Sequence, residues 1–245
     1  MKTASIIVLT TSFSNQYTKK CLAAIEANTT LPYELFVLRD DKGSFGFSKD
    51  NNRLMKISEG EYIVLMNDDC FVQPQWLERM VKKAEEDPKI GLVGARLSGP
   101  DGVLQYGIEK AAPNGDIESI AFALVLIKRE VISKIGLMNE MYRYGSEDAE
   151  YCMKAWKNGF RCVISDATAV HLKNMNQNSR SIILRSRGSY FFRRSLGESP
   201  SSIIPTVAYD SMYPLRKFIM KKAPSAFVRL RKMKNLMKLT TSSSV

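Results

Sequence analysis

An α/β domain with a mostly parallel central sheet covered by helices is the fold class this sequence predicts, and three observations carry it. Short runs of β-branched and aliphatic residues alternate with helix-period segments over the first two-thirds of the chain. The apolar fraction, 44% of 245 residues, is enough for a sizeable core. Acidic and amide residues gather where two of the apolar runs stop, at Asp40-Asp41 and Asn67-Asp68-Asp69. Open α/β sheets bind ligands at such strand ends.

The elements follow in order. Ser5 to Thr10 (SIIVLT) reads as a buried first strand. Tyr17, Cys21, Leu22 and Ile25 recur at helical spacing, which predicts a helix from about Asn15 to Ala27. Tyr33 to Leu38 is a second strand, ending at Arg39-Asp40-Asp41. A helix from about Ser48 to Glu59 leads to a third strand, Tyr62 to Met66, which stops at Asn67-Asp68-Asp69. Pro74 opens a helix whose Trp76, Leu77, Met80, Val81 and Ala84 form one apolar stripe, with the proline where its missing N–H costs nothing. Ile90 to Leu97 is a further strand, and the Pro100-Asp101-Gly102 turn predicts a hairpin with Val103 to Ile108. Ile120 to Ile127 is a buried strand. Ser146 is suited to cap a helix through Trp156 that stops at Asn158-Gly159, and Arg161 to Ser165 and Thr168 to Leu172 are two short strands. From about Met175 the alternation ends. The remainder reads as helices broken at Pro200, Pro205, Pro214 and Pro224, with a polar end at Thr240 to Val245. The expected layout is an α/β domain over residues 1–175 and a basic helical extension over residues 176–245.

Charge divides along the same line. The chain carries a net +11, but residues 180–245 hold fourteen Lys and Arg against only Glu198 and Asp210, a local +12 that leaves −1 for the rest. A near-neutral body with a basic tail points to an anionic partner for the tail, a membrane surface before nucleic acid. From Pro214 to Leu239 the residues Leu215, Phe218, Ile219, Phe227, Leu230, Met233, Leu236 and Met237 are interleaved with basic residues, as in interfacial segments, and no RNA-binding module is recognisable. The apolar run Ile6 to Leu9 is too short for a signal-peptide core, and no stretch approaches the ~20 residues of a membrane span. A cytoplasmic protein, peripheral at most to the membrane, is expected. Cys21, Cys70, Cys152 and Cys162 have no metal-type spacing and read as buried free thiols.

Three features can carry chemistry. Adjacent carboxylates repel, so Asp40-Asp41 and Asp68-Asp69 are costly unless a cation or ligand donors compensate, and a divalent metal bound to a diphosphate is one such compensation. Solvated turns are the other reading of both clusters. Ser146-Glu147-Asp148 begins a helix, where acids serve either as caps or as a general base. His171, the single histidine of the chain, ends a short strand and is either an ordinary structural residue or a metal ligand or base.

The order of these features carries a resemblance. The run GFSKDNNRLMKISEGEYIVLMNDDCFVQPQWLERM resembles the segment of family 2 inverting glycosyltransferases in which a Gly-Phe loop and an Asn-rich helix precede an Asp-x-Asp-type metal motif. The later run LVLIKREVISKIGLMNEMYRYGSEDAEYCMKAWKNGFRCVISDATAVHL resembles that family's acceptor-side segment with its Glu-Asp motif and terminal histidine. The resemblance covers about residues 3–175. It implies a GT-A fold, a nucleotide diphosphate sugar (UDP- or dTDP-linked) as donor, a glycan or lipid-linked acceptor in surface polysaccharide assembly, and Mg²⁺ or Mn²⁺ as cofactor. It further implies nucleotide-sugar contacts from Thr10, Thr11, Asp40, Asn52, Asn67 and Asp68, metal ligation by Asp69 and His171, and catalysis by Asp148 as base with Glu147 beside it. Only residues 41–45 separate Asp40 from Gly46-Phe47, where relatives insert a helix and a strand. That departure supports an alternative: a non-catalytic module with the same fold that binds nucleotide sugars or a membrane surface.

Overall fold

A computed structural model describes residues 4–39, 46–106, 108–142, 145–172 and 196–197. Asp40 and nearly all of the basic tail therefore lie outside the described residues. The chain forms two compact units, Met1–Met141 with Glu147–Met175 and Tyr142–Ser146 with Asn176–Val245. The sheet and helices below belong to the first.

Seven strands form one sheet: β1 (Ala4–Thr10), β2 (Tyr33–Arg39), β3 (Tyr62–Asn67), β4 (Cys70–Val72), β5 (Ile90–Ser98), β6 (Leu124–Lys128) and β7 (Arg161–His171), in the spatial order β2-β1-β3-β6-β5-β7-β4. β1 pairs in parallel with β2 and β3, and β5 with β7, whereas β6 runs against both β3 and β5, and β4 against β7. Five of the seven strands thus share one direction, with β6 and β4 reversed. The central strands are buried on both faces: Ile6 to Val8, Ile63 to Leu65 and Leu124 to Ile127 are solvent-inaccessible. That is why they are written as unbroken apolar runs rather than alternating ones.

Helices α1 (Gln16–Asn28), α2 (Phe47–Ile57), α3 (Trp76–Glu85), α4 (Arg129–Ile135) and α5 (Glu147–Lys157) join and cover the strands. Asn15 caps α1 by accepting from the N–H of Tyr17. Helix α3 buries Trp76, Leu77, Met80 and Ala84 of the stripe expected from sequence and leaves Val81 half-buried, and the Trp76 indole N–H donates to Thr29 at 2.9 Å. The amino ends of three strands are stitched by Glu34 of β2, whose Oε1 accepts from the Ser5 hydroxyl of β1 and from the N–H groups of Glu59 and Gly60 before β3. A Cβ on Gly60 would meet the Ser5 nitrogen at 2.5 Å, so only glycine fits there.

Several elements differ from the sequence expectation. Arg161 to His171 is one strand, not two, because a register shift against β5 between Gly94 and Arg96 absorbs the polar residues that looked like a break. Ser165 is satisfied within that irregularity by donating to the Gly94 carbonyl at 2.9 Å. The hairpin after Gly102 is reduced to a single bridge, Ser98 to Leu104, since Tyr106 adopts φ +60° and the chain then enters a short 3₁₀ turn at Ile108–Lys110. β6 begins at Leu124 rather than Ile120. Ser146 has φ +70°, left-handed instead of the extended conformation of a capping residue. Strand β4 and helix α4 were not anticipated at all. Both are short, and periodicity has little to work on in three or seven residues.

Candidate functional site

The carboxyl ends of β1, β3 and β7, which point the same way, bring together Thr10, Asn67 and His171. Between β3 and β4 the chain turns through Asp68-Asp69, and β4 pairs back onto β7 with Cys70 opposite His171. That register sets the Asp69 carboxylate against the imidazole: Oδ1 lies 3.2 Å from His171 Nε2. The Asn67 amide nitrogen approaches the same Nε2 at 3.5 Å. Residues 102 positions apart in sequence thereby form one polar cluster, and the backbone of Leu172 closes it by donating to the Asp69 carbonyl at 3.2 Å.

The two aspartates are held differently. Asp68 Oδ2 accepts from the Thr18 hydroxyl of α1 at 2.8 Å, and Thr18 is linked to Thr10 at 2.8 Å. Burial raises the Asp68 carboxyl above the usual range, the Thr10 and Thr18 hydroxyls work against that rise, and the charge on Asp69 adds to it. Asp68 is thus an anchored, half-buried acid, while Asp69 faces the histidine.

His171 is buried and its second nitrogen is also engaged. Nδ1 lies 2.9 Å from Gln105 Oε1 and 3.3 Å from the Tyr106 hydroxyl. Gln105 Nε2 donates to the His171 carbonyl at 2.9 Å, so one amide holds both the backbone and the ring. The Tyr106 ring is tilted against the imidazole with centroids 5.8 Å apart.

The remaining candidate residues are placed as follows. Thr11 is exposed just past β1. Asn52 is buried on α2, where its amide donates to the Met138 carbonyl at 2.8 Å and to Glu140 Oε1 at 3.1 Å and accepts from the Met138 N–H at 3.0 Å. Its polar atoms hold the loop before α5 rather than opening to solvent. Glu147 and Asp148 form the first turn of α5, Glu147 buried and Asp148 half-buried with Oδ1 accepting from the Ala149 N–H at 2.8 Å. Asp40 lies outside the described residues. Sequence reasoning missed Thr18, Gln105 and Tyr106. Thr18 carried a weak signal, a polar residue three positions before Cys21 on the inner face of α1, whereas Gln105 and Tyr106 carried none.

The glycosyl transferase family 2 model matches residues 6–142, more than half of the chain. The chain belongs to this family. An uncharacterised protein of Sinorhizobium fredii, y4gI, is 31% identical over 153 residues, 52% of this chain and 17% of that protein. The O-antigen biosynthesis protein RfbC of Myxococcus xanthus is 26% identical over 165 residues, 56% of this chain and 13% of its own length. The chain therefore spans less than a fifth of either relative. Among solved structures, the mannosyltransferase PcManGT of Pyrobaculum calidifontis, in complex with GDP-Man and Mn²⁺, superposes with a TM-score of 0.62 at 14% identity, over 96% of this chain and 84% of that one. GalNAc-T7 with UDP, GalNAc and Mn²⁺ gives 0.61 at 12% identity, over 90% and 54%. These likenesses establish the GT-A glycosyltransferase fold.

The donor chemistry at the strand ends fits a divalent metal. One ligand atom each from Asp69, Cys70 and His171 lies within 4.8 Å of the others. Burial pushes the Cys70 thiol well above its ordinary value, and the thiol is engaged as a donor to the Ala123 carbonyl at 3.1 Å. What is left is one carboxylate oxygen and one imidazole nitrogen, a hard, borderline set compatible with Mn²⁺ or Mg²⁺.

Proposed function

We propose that this protein transfers a sugar from a nucleotide diphosphate to an acceptor hydroxyl with inversion at the anomeric carbon. Residues 1–175 would form the catalytic domain and residues 176–245 a basic extension. The observation that carries the reading is the Asp69–His171 pair at the carboxyl ends of β3 and β7. Membership of family 2 and the fold support it. The region shared with an O-antigen biosynthesis protein supports a growing surface glycan or its lipid-linked precursor as acceptor; the UDP- or dTDP-linked donor of this reading is what the family resemblance implies.

In this reading Asp69 and His171 hold Mg²⁺ or Mn²⁺, which when bound supplies positive charge against the departing diphosphate. Asn67 and Asp68, fixed from β3 and α1, border the donor together with Thr10, Thr11 and Asp40. Asn52 acts on the same site through the loop it holds. Asp148 takes the proton from the acceptor hydroxyl as that oxygen bonds to the anomeric carbon and the bond to the diphosphate oxygen breaks. Glu147, beside it, orients the base or the acceptor. A single displacement of this kind inverts the configuration and needs no carboxylate nucleophile.

The test is a panel of nucleotide sugars, scored for metal-dependent thermal stabilisation and for slow donor hydrolysis, with Asp69→Ala as control. One donor should stabilise the protein only with metal present and be hydrolysed, and Asp69→Ala should lose both. Undiminished hydrolysis in EDTA would overturn the metal assignment. Stabilisation without any turnover would make the protein a nucleotide-sugar-binding module instead.

A further inference from the structure

We propose that Gln105 is a positioning residue that fixes the tautomer of His171, leaving Nε2 as a lone-pair donor on the Asp69 side. The inference rests on the metal-site reading above for its purpose, but its geometry is independent of it. An amide side chain can be turned either way, and here the orientation is forced. The Gln105 amide faces two groups at once, the His171 backbone carbonyl at 2.9 Å and the ring Nδ1 at 2.9 Å. A carbonyl oxygen only accepts, so the amide NH₂ must face it and Oε1 must face Nδ1. Oε1 in turn only accepts, so Nδ1 must carry the proton. In a neutral ring Nε2 is then bare.

The consequence appears on the other edge of the ring. Bare Nε2 lies 3.2 Å from Asp69 Oδ1, two acceptors facing each other in a site where His171 is almost fully buried. Two lone pairs in that position repel unless a metal cation, or a second proton that makes the ring an imidazolium, lies between them. The Asn67 amide at 3.5 Å is too distant to satisfy Nε2 by itself. In the neutral ring Gln105 therefore leaves Nε2 open to a cation rather than to a hydrogen bond within the pair. Metal-binding histidines commonly donate their second N–H to a fixed acceptor, which sets the ring and strengthens the ligand.

Gln105 is itself rigidly placed. The turn at Gly99 to Gly102 closes with Gly102 N–H donating to the Gly99 carbonyl at 3.0 Å, and Asp101 Oδ1 accepts from the Val103 N–H at 3.1 Å. Gln105 N–H then donates to the Leu97 carbonyl of β5 at 2.9 Å, which seats its side chain beneath the end of β7.

The single histidine makes the test direct. Long-range ¹H–¹⁵N spectra of histidine-labelled full-length protein, recorded without metal and with the ring neutral, contain one imidazole. Wild type should show a pyrrole-type Nδ1 and a pyridine-type Nε2, the reverse of the tautomer that free histidine favours. Gln105→Met, close in size and without the amide, should revert the ring toward Nε2–H and weaken Mn²⁺ binding, read by EPR of the free ion, about 10–100-fold. A wild-type ring protonated at Nε2, or a Gln105→Met ring still protonated at Nδ1, would overturn the proposal. If the tautomer depends on Gln105 but Mn²⁺ does not bind wild type, the tautomer assignment stands and the metal reading falls.

Discussion

Asp68 and Asp69 are neighbours with the same side chain, and their surroundings give them different work. Asp68 is tied to the Thr18 hydroxyl of α1, whereas Asp69 meets His171 across the β4–β7 pairing. The acidic pair was legible in the sequence because it interrupts an apolar run. The division of roles was not, since it depends on one threonine of α1 and on a three-residue strand too short to show a period. The importance of His171 came from the family resemblance; as a lone histidine it had no pattern of its own. At this scale two substitutions separate binding from chemistry. Asp69→Ala should abolish metal-dependent stabilisation by the donor, as measured by thermal shift. Asp148→Asn keeps the shape of the first turn of α5 but cannot take a proton. It should retain donor binding while turnover falls by ~10² or more in a product-release assay. Normal turnover in the Asn variant would reduce Asp148 to a helix-end residue.

The elements that sequence predicted well are those whose both faces or one long stripe are buried, because burial writes a period into the chain. β1, β3 and α3 are of this kind. Those that failed are governed by tertiary pairing: the bulge that makes β7 continuous, the truncated hairpin, and α4, which is held by Arg129 reaching the carbonyls of Gly60 at 2.6 Å and Ser58 at 2.8 Å. Glu34 is a further tertiary feature that no local pattern announces. Burial by itself would raise its carboxyl, but the Ser5 hydroxyl, the N–H groups of Glu59 and Gly60 and the charge on Arg129 together bring it below the ordinary range. A folded-state value below the unfolded one stabilises the protein above the unfolded value, about pH 4.3, and that contribution is lost as pH falls through the folded value. Glu34→Gln should therefore cost about 0.5–1 kcal/mol near neutral pH in urea denaturation, the scale of a charged hydrogen bond reduced by solvent screening at a half-buried site. The gap between variant and wild type should close as pH is lowered below 4. A gap that is constant with pH would assign the loss to packing instead of charge.

At the scale of the whole molecule, the near-neutral first part of the chain contrasts with residues 180–245 and their net +12. Among the described residues no helix is long and apolar enough to cross a membrane. If the acceptor is lipid-linked, the protein needs a way to work at a surface, and the basic, apolar-interleaved stretch from Pro214 to Leu239 supplies the composition for it. Attraction to acidic lipid is about 1 kcal/mol for each Lys or Arg near the headgroups and is screened within a Debye length. The full-length protein should float with vesicles containing anionic lipid, release as salt rises, and ignore neutral vesicles. Changing Lys221, Lys222, Arg231 and Lys232 to Gln removes about 4 kcal/mol of that attraction, roughly a thousandfold in partitioning, and leaves every residue assigned to the site unchanged. Donor hydrolysis in solution should therefore persist in the same variant. Equal flotation with neutral lipid would point to apolar insertion without charge recognition, and flotation of neither kind would assign the stretch to packing against protein.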